Sequence, residues 1–324
     1  MLLRTGSSRQ TETFGAIAVT ALVFTIPAIL AGLEWLHCLT PLPVYYFLSI
    51  YDRNQGSIII AWALAIAAGM TLWTGTLPGL LFSLTLLPVG LILARGYREN
   101  ESTQRSGITS VGYLVFVWLV TGWLVGMATH TNPYLELQQS LDKGFEATFA
   151  LYRDAGHFPA ADLEEIKVFI SQLREQVVRL FPALLLSSII CTVWLNTVIG
   201  QWLLQKREPS RTNREELKNW RIPEVLVWPV IMTGLALLVP NEKLNTLGLN
   251  AGLVLAILYL SQGLAVVSSM MRKWSLPLAI KAITYTLLFL QVYGLGFVAA
   301  LGLADVWVDF RKPRLKNDMD DTSI

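Results

Sequence analysis

Long apolar runs separated by short polar loops dominate this chain from Phe14 to Val308. A bilayer core is about 30 Å thick, so a crossing helix needs roughly 20 apolar residues, and several runs reach that length. Only helices and closed barrels satisfy every backbone group in lipid, and runs such as Ile58–Trp73 lack the alternation of barrel strands. The pattern therefore predicts an all-α, polytopic helical membrane protein. The predicted segments are Phe14–Leu33, Leu39–Ile50, Ser57–Trp73, Leu77–Leu93, Val111–Met127, Phe181–Leu204, Val225–Val239, Leu249–Met271 and Leu276–Val308.

The basic residues predict the orientation, because short cytoplasmic loops are enriched in Lys and Arg. All the basic loops share one side only if the short run Leu39–Ile50 crosses and the last run turns back at Gly294–Gly296. That gives about ten segments, three of them short or re-entrant, in a bacterial cytoplasmic (inner) membrane with the N-terminus in the cytoplasm. If the last run is one tilted helix, there are nine segments and the C-terminal tail lies outside. The basic loops contain Arg4 and Arg9; Arg95, Arg98 and Arg105; Lys206, Arg207, Arg211, Arg214, Lys218 and Arg221; Arg272 and Lys273; and Arg311, Lys312, Arg314 and Lys316.

One long polar stretch, Thr129–Val178, falls outside the cell in this topology and carries eight carboxylates against four basic residues. A first helix is predicted over Tyr134–Arg153, then a turn at Gly156–Pro159, then a second helix with one apolar face. The pair would cap an outward cavity, lie on the membrane surface, or only pack on the outer ends of the spans. The apolar face is formed by Leu163, Ile166, Ile170, Leu173 and Val177. The predicted regions are a membrane bundle (1–128), the extracytoplasmic helical pair (129–178), a second membrane bundle (179–310) and a disordered cytoplasmic tail (311–324).

The composition offers little material for catalysis, with 53% hydrophobic and 15% charged residues and only two cysteines. Walker A, HExxH, GxSxG and CxxC motifs are all missing from the sequence. We therefore expect no enzyme activity, no ATPase of its own, no metal, no cofactor and no nucleic-acid partner. Membrane lipid is the expected surrounding partner, and a separate membrane protein or ATPase is a further candidate.

Polar residues at membrane depth are the better guide to function, because each is costly there. Glu34 and His37, three residues apart, would share one helix face at the outer end of the first segment. Amides within the segments, such as Asn196, Asn250, Gln262 and Gln291, commonly bond between helices. The predicted ligand-binding candidates are Glu34, His37, Asn250 and Gln262. The predicted cytoplasmic interaction residues are Arg207, Arg211, Arg214, Arg221, Asp305, Asp309 and Arg311, where Asp305 and Asp309 either pair with nearby bases or form a docking surface.

The C-terminal half has an order of short motifs that resembles a known family. These are Trp220-Arg221-Ile222-Pro223-Glu224, Trp228-Pro229, Gly248-Leu249-Asn250, Gln262-Gly263-Leu264-Ala265-Val266 and Asp305-Val306-Trp307-Val308-Asp309-Phe310-Arg311-Lys312. With Phe181-Pro182-Ala183-Leu184 after the polar stretch, this order resembles the YybS-like family of bacterial integral membrane proteins. That resemblance implies a membrane protein and transfers no catalytic residue.

A second likeness lies near the N-terminus. Thr40-Pro41-Leu42-Pro43-Val44, followed by Asn54-Gln55-Gly56 and an apolar helix, is similar to the early region of energy-coupling-factor substrate-binding subunits. Those small membrane subunits bind vitamins or metal ions and dock onto a shared ATPase module. They usually have about six helices, whereas this chain has more and adds the polar stretch.

Two functions follow as hypotheses. The first is a substrate-binding or transport-related subunit with an outward cavity near Glu34–Pro43, driven by a partner ATPase or an ion gradient. The alternative is a non-catalytic membrane scaffold that recruits a partner or anionic lipid through the basic loop Lys206–Arg221.

Overall fold

A computed structural model describes residues 6–156, 158–207 and 222–311, and every regular element in these ranges is a helix. The chain divides into two compact units, Met1–Asn213 and Arg214–Ile324. The all-α prediction is confirmed for the part of the chain that the structure describes.

The first unit begins with a bundle of apolar helices whose ends are set by turn residues. Its elements are α1 (Gly6–Ile29), the 3-10 helix η1 (Glu34–Leu39), α2 (Pro41–Ile50), α3 (Arg53–Thr74), α4 (Leu77–Arg98) and α5 (Thr103–Thr129). Gly75 ends α3 in the left-handed region, with a φ of 73°, which glycine adopts without steric cost. The Ser102 side chain accepts from the backbone N–H of Arg105 and caps α5. The buried core combines alanines such as Ala63 and Ala67 with larger apolar residues, while side chains such as Trp62, Trp73 and Phe116 are exposed, as expected where lipid covers the outer faces.

The short segment η1–α2 runs beside α4 in the same chain direction. His37 contacts Ser83 near the start of α4, Pro41 and Val44 contact Gly90, and α2 ends beside Arg98. A Cβ at residue 90 would lie 2.5 Å from the Pro41 carbonyl oxygen. Glycine is therefore required there for the two helices to approach closely.

Two further helices complete the first unit, α6 (Pro133–Asp154) and α7 (Ala160–Arg207). They are antiparallel: Tyr134 packs against Phe181 at one end, and Asp142 pairs with Arg174 further along. The predicted first helix and turn are confirmed within one or two residues. The second predicted helix, however, is continuous with the following apolar segment, and α7 has 48 residues with Pro182 inside it, about 72 Å measured along the helix. The predicted region boundary at residue 178 therefore lies inside one helix.

The second unit contains η2 (Glu224–Leu226), α8 (Val227–Leu238), α9 (Glu242–Lys273), α10 (Leu278–Leu290) and α11 (Val292–Val308). Helices α9 and α11 approach closely where glycines face backbone. A Cβ at Gly263 would collide with the Val298 carbonyl oxygen, and one at Gly302 with the Tyr259 carbonyl oxygen.

The last apolar run is broken by a sharp bend, but the predicted position of the break was wrong. Gln291, with φ −112° and ψ 120°, separates α10 from α11, and the pair is bent by 105°. Gly294 and Gly296 lie within α11. Gly294 does not interrupt the helix. It allows the Leu288 carbonyl oxygen to approach closely, since a Cβ there would lie 2.9 Å from that oxygen.

Six helices in the described residues are long and apolar enough to cross a membrane, or seven if the bent pair forms one span. The predicted ten segments also include α2, with 10 residues, and α8, with 12. At 1.5 Å per residue, α2 alone extends about 15 Å, half the thickness of a bilayer core. Length therefore separates these short helices from the full spans.

Candidate functional site

Buried polar groups collect around η1 in the first unit, and we call this group the η1 cluster: His37, Cys38, Thr40, Ser83 and Asn196. The chain leaves α1 through Gly32, whose φ of +87° favours glycine. The Thr40 hydroxyl donates to the His37 carbonyl at 2.9 Å and closes the 3-10 helix. Pro41 then begins α2 at a position where no backbone N–H is needed. Local chemistry thus places a helix break between two apolar helices.

His37 is 7% exposed and lies between neighbouring helices. Its Nδ1 is 2.8 Å from the Ser83 hydroxyl, and its ring meets Phe82 edge-on. His37 is also hydrogen-bonded to the backbone of Pro27 on α1. The buried ring is therefore held by residues of two neighbouring helices.

Asn196 on α7 is completely buried and faces η1. Its Nδ2 donates to the Cys38 carbonyl at 2.6 Å and to the Thr192 carbonyl at 2.7 Å. Because both neighbours are acceptors, the amide cannot be flipped without losing both bonds. Its Oδ1 has no hydrogen-bond partner among the described residues. A buried acceptor without a donor is costly, so this oxygen is the chemically open position of the cluster.

Glu34 differs from His37 in its exposure to solvent. The carboxylate is exposed and accepts from the Gly32 backbone N–H at 2.9 Å, which stabilises the turn before η1. Residues three apart eclipse on a 3-10 helix, so Glu34 and His37 share a face as predicted. Glu34 lies at the exposed end of that face and His37 at the buried end.

A second polar group lies in the second unit and joins its beginning to its end. The Gln262 Oε1 accepts from the backbone N–H of Ile222 at 3.0 Å, and its Nε2 donates to Asp305 at 3.2 Å. Asp305 also accepts from the Phe310 backbone N–H at 3.0 Å and from Arg311 at 2.6 Å. The Arg311 and Asp305 side chains are 6% and 0% exposed. We call Ile222, Gln262, Asp305 and Arg311 the C-terminal clamp, and its paired groups indicate a structural role.

The other predicted residues are placed as follows. Asn250 is half-buried and donates to the Thr246 carbonyl, one turn earlier on α9, at 2.9 Å. Asp309 is half-buried, with a φ of 49° directly after α11. Arg207 is exposed at the end of α7. The predicted interaction residues Arg211, Arg214 and Arg221 lie outside the described residues.

Sequence reasoning missed several groups that matter in three dimensions. Ser83 and the Cys38 carbonyl gave no signal, because their importance comes from neighbours far along the chain. Arg98 was assigned only to a basic loop, yet it donates to the carbonyls of Leu48 and Tyr51 at 2.6 and 2.5 Å. Among the described residues, no group of three His, Cys, Asp or Glu side chains is placed to hold a metal ion.

Together these features define a multi-pass α-helical membrane protein. The chain belongs to the family described as Predicted membrane protein (DUF2232), whose family model matches residues 17–306. No curated protein and no solved structure matches the chain. The family match supports neither the YybS-like name nor the energy-coupling-factor likeness.

Proposed function

We propose that this protein is a substrate-binding or transport-related membrane subunit, without its own ATPase, whose ligand site is the η1 cluster. The observation that carries the proposal is the Asn196 Oδ1, a buried acceptor without a partner in the described residues. It lies beside a helix break, and broken helices at membrane depth are where many transporters bind their substrates. Energy would come from a partner ATPase or an ion gradient.

The proposal includes the ten-segment topology with the N-terminus in the cytoplasm. The six residues of η1 and the ten of α2 together extend about 27 Å, close to a bilayer core of about 30 Å. The contacts of η1–α2 with α4 from Ser83 to Arg98 support a crossing by this compound segment. Helix α6 and the polar start of α7 would then lie outside the cell.

The ligand expected at this site offers a hydrogen-bond donor. Asn196 presents its buried Oδ1 as an acceptor. A small polar solute with an N–H or O–H group fits this chemistry better than an anion, which would meet the unpaired oxygen of Asn196 with repulsion.

A ligand screen on the purified protein in nanodiscs tests the proposal. Small polar solutes are added and the thermal unfolding midpoint is measured, since a ligand that binds only the folded state raises it. We expect a stabilising solute for the wild type that loses its effect in Asn196→Leu. The matched control is Asn250→Leu, which removes a half-buried amide whose Nδ2 donates to the Thr246 carbonyl of the same helix.

Equal stabilisation of wild type and Asn196→Leu by the same solute would place its binding elsewhere and refute this site. A crosslinking pull-down from the native membrane tests the transport role separately, with an ATPase and its membrane coupling subunit as the expected partners.

The alternative, a membrane scaffold, is favoured by the end of α7. Lys206 lies 3.6 Å from the centre of the Trp202 ring, and Arg207 follows it, exposed. Basic residues near an anionic membrane surface contribute about 1 kcal/mol each. For this function, neutralising the bases of Lys206–Arg221 would abolish capture of lipid or partner while leaving the fold intact.

A further inference from the structure

The helix segments around the η1 cluster carry no fixed positive charge. Residues 10–52 contain carboxylates but no Lys or Arg, and residues 77–94 of α4 and 180–205 of α7 contain no charged side chain. The ring of His37 is already hydrogen-bonded to two neighbouring helices. An anion in this cluster would therefore find no counter-charge, whereas a cation would meet no repulsion.

The open acceptor of the cluster also favours a positively charged donor. The Asn196 side chain is completely buried, and its Oδ1 has no donor among the described residues. The Nδ2 of the same amide is bonded to two backbone carbonyls, which keeps the oxygen in place. Hydrogen bonds from a charged donor are roughly twice as strong as those between neutral groups. A protonated amine therefore satisfies this oxygen better than a hydroxyl group.

Glu34 provides the counter-charge that such a donor needs, because an isolated buried charge is costly. This exposed carboxylate begins η1 and is close enough to His37 to interact with it electrostatically. At about 2.0 Å per residue of 3-10 helix, it lies about 8 Å along the axis from Cys38, whose carbonyl accepts from Asn196. Among the described residues, no Lys or Arg forms an ion pair with Glu34.

The polar helices of the first unit add to the negative field. The stretch Thr129–Val178 carries eight carboxylates against four basic residues, and three of those basic residues, Arg153, Lys167 and Arg174, are paired with carboxylates. In the proposed topology this stretch lies outside the cell, on the side where η1 begins. Surfaces of one charge sign raise the local concentration of oppositely charged solutes, so this surface favours the approach of cations.

We infer that the solute bound at the η1 cluster is a small protonated amine, with an N–H group that donates to the Asn196 Oδ1 and a charge balanced by Glu34. The inference rests on the proposed function, since it names the class of solute for the same site. Neutral alcohols and hydroxy acids offer a donor as well, but they lack the positive charge.

The test compares three solutes of similar size on the full chain in nanodiscs. Ethanolamine is a cation at neutral pH, ethylene glycol is neutral and glycolate is an anion, and each has a hydroxyl group. Tetramethylammonium chloride, a cation without a donor, keeps the ionic strength constant. The thermal unfolding midpoint is measured against solute concentration, which gives the affinity of the folded state.

Four proteins are compared: wild type, Asn196→Leu, Glu34→Gln and the control Glu99→Gln. Glu34 is exposed, and Gln keeps an oxygen for the Gly32 N–H, so this variant leaves the fold intact even if Asn196→Leu destabilises it. Glu99 is an exposed carboxylate paired with Arg95, at the end of α4 far from Ser83.

We expect ethanolamine to stabilise the wild type and the other two solutes to have much weaker effects. Asn196→Leu should abolish the stabilisation. Glu34→Gln should weaken ethanolamine binding about threefold to tenfold, as expected for two unit charges about 8 Å apart in a partly hydrated site. Glu99→Gln should bind ethanolamine as the wild type does.

Several results would overturn the inference. Equal stabilisation by ethylene glycol or glycolate that is lost in Asn196→Leu would refute the amine but keep the proposed site. An ethanolamine effect that is absent in the wild type, survives Asn196→Leu or ignores Glu34→Gln would refute the assignment to this cluster. If sodium chloride in place of tetramethylammonium chloride gives the Asn196-dependent effect, the occupant is a metal cation. If the wider screen yields no Asn196-dependent solute, the proposed function fails as well.

Discussion

Breaking the C-terminal clamp on one side should be among the most damaging single changes in this protein. Asp305→Asn keeps one oxygen, which can accept from the Phe310 N–H, but its amide nitrogen replaces the Oδ2 that accepts from Gln262 and Arg311. The substitution therefore removes the carboxylate charge that faces the buried Arg311 guanidinium, whose side chain is 6% exposed. Removing one partner of a buried pair typically costs about 3–5 kcal/mol, mainly because the remaining charge stays buried. The expected loss of unfolding free energy is therefore about 3 kcal/mol or more.

The double variant Asp305→Asn/Arg311→Met separates this cause from a general packing defect. It removes both charges, and replacing a buried pair by uncharged groups is often close to neutral. The double variant should therefore be more stable than Asp305→Asn alone, by more than about 1 kcal/mol.

Pulse proteolysis across an SDS titration measures the folded fraction of each variant. The matched control is Glu99→Gln, which removes an exposed carboxylate from an ion pair with Arg95 and should leave the midpoint unchanged. If Asp305→Asn costs no more than Glu99→Gln, or if the double variant is less stable than the single one, the account of the clamp is wrong.

Two further predictions concern helix packing and the end of α2. Gly263→Ala should destabilise the second unit by about 1–3 kcal/mol, because its Cβ meets the backbone of α11 and overpacking forces a backbone shift; thermal unfolding measures this. Arg98→Gln should cost about 2 kcal/mol, because two backbone carbonyls at the end of α2 lose a charged donor, and denaturant titration measures this loss.

Both predictions have an outcome that would contradict them. Gly296→Ala is matched to the glycine change, since open space surrounds a Cβ there, and equal destabilisation by both substitutions would contradict the packing argument. If Arg98→Gln leaves the unfolding free energy unchanged, water replaces the guanidinium at the end of α2.

The sequence alone was sufficient for the features that depend on local pattern and on lipid as solvent. The helical class and the helix Tyr134–Arg153 were predictable, because apolar length and periodicity act within a single segment. The turn before α7 was also predictable, since Gly156 has a φ of +66° and glycine and proline act locally.

Tertiary structure decided the features that depend on residues far apart in the chain. The Asn196 amide is oriented by the carbonyl of Cys38, 158 residues away, and no local pattern could show that its oxygen lacks a donor. The break at Gln291 likewise depends on which faces other helices cover. A sequence states which residues are apolar or polar, but burial and pairing are properties of contacts, and those exist only once the helices pack.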